Sequence, residues 1–407
     1  MSAISLSSAR DTARPVALAA TDRRWLALDL LRFLAVLLMV QGHTFTALIE
    51  DAVRELGWYR WHSYIHGYTA PLFMYSAGLA FGVTTLKGWA KQSEWGPAAR
   101  KRVFRYLLIV AIGYALQLPS SSLLPLFRGM ADERWGRMLA VNALQVIGMT
   151  LLLCQLLVLT LRNRSAFVAL SALGGTAVVL LGPYFWRWPV QDYLPVGVAA
   201  YFTNQTGSLF PIVPWAGFIF AGIVTAALVG DVTRPEHRAR VAPRLALAGG
   251  AIATAAVLLD RSGLSAAFGE HNFWKTSPLF FLWRLGCILP VLGLFGVLEQ
   301  WYARWSAKRG GDGPVMATVR VMGQESLVVY VGHLVLLYGF MLPWSMNARW
   351  SHALALGNAV LAFSALFVVM IVLARVWHHV KTRRPTQFDL LRWGLGLGTL
   401  FMLLTRG

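Results

Sequence analysis

The sequence predicts an all-α fold: a polytopic bundle of transmembrane helices. Of its 407 residues, 57% are hydrophobic and only 14% are charged, whereas charged residues make up about 25% of a typical soluble domain. Apolar stretches long enough to cross a bilayer recur along the whole chain. Basic residues are concentrated in the segments between these stretches, which is typical of loops on the cytoplasmic side of a membrane.

About eleven stretches fit a transmembrane helix. Each is close to the length that a helix needs to cross the hydrocarbon core of a bilayer. The last stretch is the weakest candidate, because it contains Asp389 and Arg392. The predicted spans are 26–48, 68–86, 103–119, 140–160, 166–184, 211–229, 245–260, 279–299, 321–341, 353–378 and 388–405.

The charges between the spans predict a cytoplasmic N-terminus. This orientation puts basic clusters such as 87–105 and 381–384 on the cytoplasmic side, where positive residues are enriched. Residues 1–24 lack the apolar core of a signal peptide. We therefore expect 1–24 to be a cytoplasmic tail and 25–407 to be a single transmembrane domain.

Composition also argues against nucleic-acid binding and against a site built on cysteines. The net charge of +19 would suit a nucleic-acid-binding protein, but the basic clusters alternate with apolar spans, so we expect no nucleic-acid partner. Cys154 and Cys287 both lie inside apolar spans. Their positions indicate neither a disulfide framework nor a metal site.

Three ionisable residues lie in the first span, LDLLRFLAVLLMVQGHT (28–44). Arg32 and His43 are eleven residues apart, so they share one face of a helix and are separated by roughly 16 Å along its axis. Asp29 is within reach of an i,i+3 ion pair with Arg32. A purely structural explanation is that the Asp29–Arg32 ion pair stabilises the end of the helix and that His43 is a hydrogen-bonded histidine packed within the bundle. Ionisable groups at membrane depth nevertheless favour a functional site.

Two predicted outside loops, 49–67 and 184–210, are long and rich in aromatic residues. Trp and Tyr favour the headgroup level of a membrane, so these loops fit an interfacial belt. Aromatic faces also stack on sugar rings. Trp61 in the first loop is therefore a candidate for contact with a sugar.

The sequence RKRVFR (100–105) places Arg102 and Arg105 on one helix face, at the predicted cytoplasmic start of the third span. An ordinary cytoplasmic basic cluster explains this pattern. The alternative is an anion site, because the guanidinium group presents a rigid fork that suits phosphate.

Further polar residues mark the second and ninth spans. His62 and His66 have i,i+4 spacing in WHSYIHGYTAPLFMYSAG, which favours a general base over zinc because no carboxylate or thiol lies at ligand spacing. Gln324 opens the ninth span, and His333 lies deeper within it. His333 fits either a packing role or a functional role.

The first span resembles the first helix of the transmembrane acyltransferases, in which ten residues separate an arginine from a histidine, as residues 33–42 separate Arg32 from His43 here. The R-x-x-R of Arg102 and Arg105 resembles the acyltransferase-3 branch. Other segments are similar to the branch that contains heparan-α-glucosaminide N-acetyltransferase and its bacterial relatives: 69–82, 142–153, 210–223, 277–286 and 322–338.

This resemblance implies a membrane enzyme that takes an acyl group, usually acetyl, from cytoplasmic acyl-CoA and hands it to a sugar hydroxyl or amine on the far side. It implies that acetyl-CoA is the co-substrate and that the protein lies in the cytoplasmic membrane of a bacterium. It is also compatible with assembly of the protein as a homodimer. In the heparan branch the catalytic histidine follows the first helix, which points to His66 or His62. In the other branch the helix histidine, His43, is central.

The predicted site follows from these points. Arg102, Arg105 and Arg32 would bind the nucleotide end of CoA, and the pantetheine arm would run along the first helix towards His43. Asp29 would orient Arg32. The residues expected to contact the acceptor or to stabilise the oxyanion are His62, Trp61, Asn142, Gln145, Gln324 and His333.

A carrier for an anionic solute or lipid is the competing interpretation, since many spans and buried charges would suit it too. Transporters often contain inverted repeats and paired broken helices. No internal repeat is visible in the sequence, and the Pro-interrupted stretch at 211–215 has no obvious counterpart. An acyltransferase should bind CoA and be stabilised by it, whereas such a carrier should not.

Overall fold

The structure, a computed structural model, describes residues 24–118, 132–232, 234–309, 311–339 and 344–405. The predicted tail, apart from Arg24, lies outside these residues. Within the described ranges the chain forms helices and no β-strand, apart from an isolated bridge between Ile49 and Leu354. The all-α prediction is confirmed.

Fourteen helices of eight or more residues are present in these ranges. They are α1 (Leu26–Leu48), α2 (Gly57–His66), α3 (Thr69–Lys87), α4 (Pro97–Ala115), α5 (Asp132–Leu139), α6 (Ala143–Leu161), α7 (Arg164–Phe185), α8 (Ile212–Val229), α9 (Pro235–Arg261), α10 (Pro278–Arg309), α11 (Pro314–Gln324), α12 (Ser326–Tyr338), α13 (Leu356–Arg383) and α14 (Pro385–Thr405). Short helices cover Asp51–Arg54, Trp89–Gln92, Val190–Asp192, Val196–Ala199, Leu264–Phe268, Phe273–Thr276 and Met346–Trp350.

Eight helical stretches of the described chain are long and apolar enough to cross a membrane, or nine if α11 and α12 form one span that bends by 81°. The count is below the eleven predicted. The predicted spans 103–119 and 388–405 correspond to α4 and α14, which are not among the nine. In α4 the first turns contain Arg100, Lys101 and Arg102, which lower its hydropathy.

Small residues bring the helices into close contact. A methyl group on Gly78 of α3 would lie 2.0 Å from the Ile219 carbonyl oxygen of α8, and one on Gly286 of α10 would lie 2.5 Å from the Ala253 nitrogen of α9. Larger side chains would separate these backbones. This is how membrane helices gain van der Waals contact without a hydrophobic driving force.

Helix α1 lies between two packed groups of helices. One hydrophobic cluster contains Leu31 and Ala35 together with residues of α3, α6, α8 and α10. A second contains Val36 and Met39 together with residues of α11, α12 and α13. The helix that carries Arg32 and His43 is therefore central to the fold.

Buried polar contacts fix the first turn of α1. The Glu299 carboxylate of α10 accepts hydrogen bonds from the backbone N–H groups of Leu26 and Ala27, both at 3.2 Å. Arg238 of α9 forms an ion pair with the same carboxylate and donates to the Arg24 carbonyl at 2.9 Å. A carboxylate at a helix N-terminus is favourable because the free N–H groups carry partial positive charge.

The break between α11 and α12 lies beside α1. A methyl group on Gly323 would lie 2.6 Å from the Asp29 carbonyl oxygen, so the two backbones touch there. The buried Glu325 carboxylate accepts hydrogen bonds from His378 Nδ1 and Lys381 Nζ of α13, both at 2.9 Å. This contact fixes the bend, after which α12 runs to His333.

Candidate active site

Three histidines from three helices meet at the end of α1 that carries His43, which we call the histidine end. The His43 ring lies 5.7 Å from the His66 ring of α2 and 5.1 Å from the His333 ring of α12, measured between centroids. His333 is fully buried, whereas His43 and His66 are partly accessible. Sequence analysis named each of these residues, and the fold brings them together.

Hydrogen bonds assign the protons on His333 and His43. His333 Nδ1 lies 2.9 Å from the Val329 carbonyl oxygen, which can only accept, so this nitrogen donates. In a neutral imidazole the other nitrogen then accepts, and His333 Nε2 lies 3.4 Å from His43 Nδ1. His43 therefore donates from Nδ1, which leaves the lone pair of its Nε2 free.

His66 has a second free nitrogen. Its Nδ1 lies 3.3 Å from both the Leu38 carbonyl and Thr69 Oγ1. Because the carbonyl can only accept, the proton is placed on Nδ1 and the lone pair on Nε2. The histidine end thus offers two imidazole nitrogens that can accept a proton.

Gly42 makes room for His66. A methyl group on Gly42 would lie 1.8 Å from His66 Nδ1 and 2.2 Å from its Cε1, so the imidazole ring occupies the space that any other side chain would fill. The glycine precedes His43 in the sequence. It lets the two imidazoles approach each other.

His62 and Trp61 flank this cluster on α2. The His62 ring is parallel to His66 with centroids 6.2 Å apart, and its Nε2 lies 3.0 Å from Gln41 Oε1. Trp61 is 68% exposed. Its position fits either the interfacial belt or a surface contact with a substrate.

At the opposite end of α1, the arginine end, the structure corrects one expectation. Asp29 does not pair with Arg32; its carboxylate accepts two hydrogen bonds from Arg24, at 2.6 and 2.9 Å. Arg24 precedes the helix, and two nitrogens of its long side chain reach the carboxylate. No described residue forms a hydrogen bond or ion pair with Arg32, which lies within electrostatic range of Arg24 and Arg105.

The two arginines of the R-x-x-R motif differ in their surroundings. Arg102 donates to Thr85 Oγ1 at 2.7 Å and to Thr84 Oγ1 at 2.8 Å, so its donors are largely used in packing α4 against α3. Arg105 is exposed. Arg105 is therefore the more available of the two for a ligand.

The remaining candidates, Asn142, Gln145 and Gln324, have other neighbours. Asn142 precedes α6 and donates to Gln117, while the fully buried Gln145 packs against Gly113. Gln324 ends α11 at the bend near Asp29. Among the described residues, no hydrogen bond joins any of the three to His43, His66 or His333.

No group of three or more His, Cys, Asp or Glu side chains in the described ranges is arranged to hold a metal ion. In the cluster, His43 is hydrogen-bonded to His333 and meets the His66 ring edge-on.

Sequence reasoning missed Gln41, Gly42 and Arg284. Gln41 and Gly42 directly precede His43, and their roles become visible only when α2 is placed beside α1. Arg284 lies in an apolar span of α10, where a charged residue by itself indicates a functional site.

A family model described as "Heparan-alpha-glucosaminide N-acetyltransferase, catalytic" matches residues 24–261, which is more than half of the chain. The matched region contains Arg32, His43 and His66. No curated protein matches the chain significantly.

Proposed function

The chain belongs to the heparan-alpha-glucosaminide N-acetyltransferase family, and from this membership we propose that it transfers an acetyl group from acyl-CoA to a sugar amine or hydroxyl. The family identifies a membrane acetyltransferase. The proposal adds the donor, the acceptor class, the sides of the membrane and the role of the histidines. The location we propose is the cytoplasmic membrane of a bacterium.

His43 is the proposed general base, and the observation that carries this role is its hydrogen bond to His333. That bond holds the Nδ1 proton of His43 and leaves the lone pair of its Nε2 free. Nε2 takes the proton of the acceptor amine or hydroxyl as the acceptor attacks the thioester carbonyl carbon. The C–S bond then breaks, and the CoA thiolate takes the proton from His43.

The arginine end of α1 is the proposed donor side. CoA is a polyanion, and Arg32 has no hydrogen-bond acceptor among the described residues. Asp29, Arg24 and Arg105 lie near enough to act on its charge, and Arg24 is already paired with Asp29, so Arg32 and Arg105 are the guanidinium groups left for a ligand. They would bind the phosphates, and the pantetheine arm would cover the roughly 16 Å along α1 to His43.

His66 is the alternative base, because its Nε2 is also free. The same nitrogens also permit a transient acyl-imidazole, in which a histidine attacks the thioester before the acceptor does. We assign proton transfer to His43 because the hydrogen bond from His43 to the buried His333 fixes the orientation of the His43 ring.

Transport of an anionic solute is the second candidate function, and the broken α11–α12 pair favours it, since interrupted helices often line transport sites. A carrier would move its solute unchanged. The two functions therefore differ in whether a covalent product forms.

Radiolabelled acetyl-CoA incubated with purified protein and a panel of amino sugars and glycans tests the proposal. We expect label on an acceptor with the wild type, loss of transfer in His43→Ala, and full transfer in His379→Ala, an exposed histidine of α13. Full activity in folded His43→Ala with none in His66→Ala would move the base to His66. Absence of label movement and of CoA binding would favour the carrier.

A further inference from the structure

An aromatic pocket opens where the end of α9 meets the start of α10. Its volume is about 240 Å³. This is below the roughly 300–1,000 Å³ of sites that enclose a whole small molecule, so the pocket suits a compact chemical group. Five aromatic side chains line it: Tyr64, Phe273, Trp274, Phe280 and Trp283.

Contacts between the rings hold the wall of this pocket in place. Trp283 Nε1 donates a hydrogen bond to Tyr64 Oη. The Trp274 ring meets the rings of Tyr64 and Phe280 edge-on, with centroids 6.2 and 4.9 Å apart. Trp274 is nevertheless 57% exposed, so the pocket has an open side. The aromatic wall is therefore both preformed and accessible.

Two adjacent charges of opposite sign belong to the same pocket. Asp260 and Arg261 are the last two residues of α9, and both line the pocket. Neither side chain forms a hydrogen bond or an ion pair with any residue in the described part of the chain. A carboxylate acceptor and a guanidinium donor are therefore available beside one set of aromatic rings.

The pocket lies at the level expected for lipid headgroups. Helices α9 and α10 are both long and apolar enough to cross a membrane, and the pocket is at the end of one and the start of the other. Trp and Tyr side chains favour this interfacial level. Directly before Asp260, Leu258 is 61% exposed and Leu259 is 40% exposed. An apolar helix surface therefore leads up to the two charges.

Charge and composition together favour a zwitterionic headgroup that carries a primary amine. Aromatic faces stabilise an ammonium group, and the Asp260 carboxylate can accept hydrogen bonds from its N–H groups. The guanidinium group of Arg261 suits a phosphate. The headgroup of phosphatidylethanolamine carries both groups, joined by a short ethylene link. A neutral ligand would leave both side chains without an ion-pair partner.

We propose that this pocket binds the headgroup of a phosphatidylethanolamine molecule in the leaflet on the histidine side. The ammonium group contacts the aromatic faces and the Asp260 carboxylate, the phosphate contacts Arg261, and the acyl chains lie along the exposed apolar surface of α9. Tyr64 belongs to α2 and lies between His62 and His66 in the sequence, so the lipid contacts the helix that carries these histidines. The lipid site does not depend on the proposed transferase function.

Lipid binding by the full-length protein tests this site without acetyl-CoA or an acceptor. Purified protein in detergent is titrated with phosphatidylethanolamine, phosphatidylcholine and phosphatidylglycerol of identical acyl chains, and native mass spectrometry measures the bound lipid. We expect phosphatidylethanolamine to bind roughly tenfold more tightly than the other two, the size expected for one charge-assisted hydrogen bond. Phosphatidylcholine has no N–H group to donate, and phosphatidylglycerol has no ammonium group. Equal binding of the three lipids would overturn the proposal.

Asp260→Asn should remove the preference over phosphatidylglycerol, because it removes the negative charge and keeps the size of the side chain. Asp260 has no partner among the described residues, so this variant should fold as the wild type does, which thermal unfolding checks. Arg261→Gln should weaken all three lipids alike, since each carries the phosphate. Glu270→Gln, an exposed carboxylate outside the pocket, is the matched control and should keep the preference. An unchanged preference in Asp260→Asn would contradict the assignment.

Two soluble probes separate the lipid from other amine ligands. Glycerophosphoethanolamine carries the same headgroup without acyl chains, and D-glucosamine carries an amine on a sugar ring. We expect neither probe to displace the lipid at concentrations comparable to that of the lipid. Displacement by glucosamine that is lost in Asp260→Asn would assign the pocket to an amino sugar and overturn the lipid assignment. Equal affinities for glycerophosphoethanolamine and the whole lipid would overturn it in favour of a soluble phosphodiester.

Discussion

At the scale of single residues, the chemistry depends on a line of hydrogen bonds from the Val329 carbonyl through His333 to His43. Each imidazole has one donor and one acceptor when neutral, so fixing the first proton fixes the second. His333 thus acts on the reaction through His43 and is a positioning residue. The lone pair that results lies on His43 Nε2.

His333→Phe should lower kcat by roughly 10²-fold, a typical contribution of general acid–base catalysis, with little change in the KM for acetyl-CoA. Phenylalanine fills the space but cannot accept from His43 Nδ1. His333→Gln provides an amide oxygen as acceptor and should recover part of the activity. Steady-state kinetics of both variants check this, and equal losses in both would contradict the positioning role.

Gly42→Ala should lower acetyl transfer by at least tenfold, because its methyl group would occupy the position of His66 Nδ1. The displaced imidazole also costs about 1–3 kcal/mol of stability, as overpacking does elsewhere. Gly57→Ala is the matched control, since nothing lies within 4 Å of a methyl group there. Transfer rates and thermal unfolding of the two variants are compared; wild-type rates in Gly42→Ala would contradict the placement of His66.

Sequence reasoning at this scale could name residue types but could not assign partners. Arg32 and His43 are identified because ionisable groups are costly in a membrane, His66 by its i,i+4 spacing with His62, and His333 by its place within the ninth span. The predicted ion pair between Asp29 and Arg32 was wrong. Helical spacing favours Arg32 as the partner and gives no weight to Arg24, which lies before the helix. His333 is 290 residues from His43, a contact that only the fold can reveal.

At the scale of elements, the position of α1 is fixed by contacts at its first turn and at the bend between α11 and α12. The sequence predicted one span at 321–341, whereas the structure has two helices that meet at Glu325. Hydrophobic periodicity cannot reveal this bend, because His378 and Lys381, which bind Glu325, are more than 50 residues away. The predicted first span, 26–48, coincides with α1.

Glu299→Gln should destabilise the protein by about 3–5 kcal/mol, because it deprives the buried Arg238 of this carboxylate and weakens the contact with the first turn of α1. Thermal unfolding in detergent measures the change. Glu236→Gln on the exposed surface of α9 is the control and should leave the transition unchanged. Identical transitions in the two variants would show that this contact does not hold α1.

At the scale of the whole molecule, one helix separates a basic environment at its arginine end from a cluster of neutral imidazoles at its histidine end. Composition and charge distribution predicted a helical membrane protein, because these properties are averaged over many residues. The number of spans was less predictable, since a helix such as α4 combines apolar turns with basic ones. The orientation rests on the basic clusters and remains a prediction.

Single cysteines test that orientation. In a background without Cys154 and Cys287, Ser63→Cys on α2 should react with a membrane-impermeant maleimide in intact cells. Ala303→Cys near the end of α10 should react only after lysis, because basic residues surround it. Both positions are exposed, so labelling of both in intact cells would contradict the proposed orientation.

The central claim is that an acetyl group passes from the arginine end of α1 to an acceptor at the histidine end. Sealed vesicles with uniformly oriented protein test it most directly, with acetyl-labelled acetyl-CoA on the arginine side and an impermeant acceptor on the histidine side. We predict label on the acceptor across the membrane and none with His43→Ala. Intact labelled acetyl-CoA appearing on the histidine side, with an unlabelled acceptor, would contradict the account and identify a carrier.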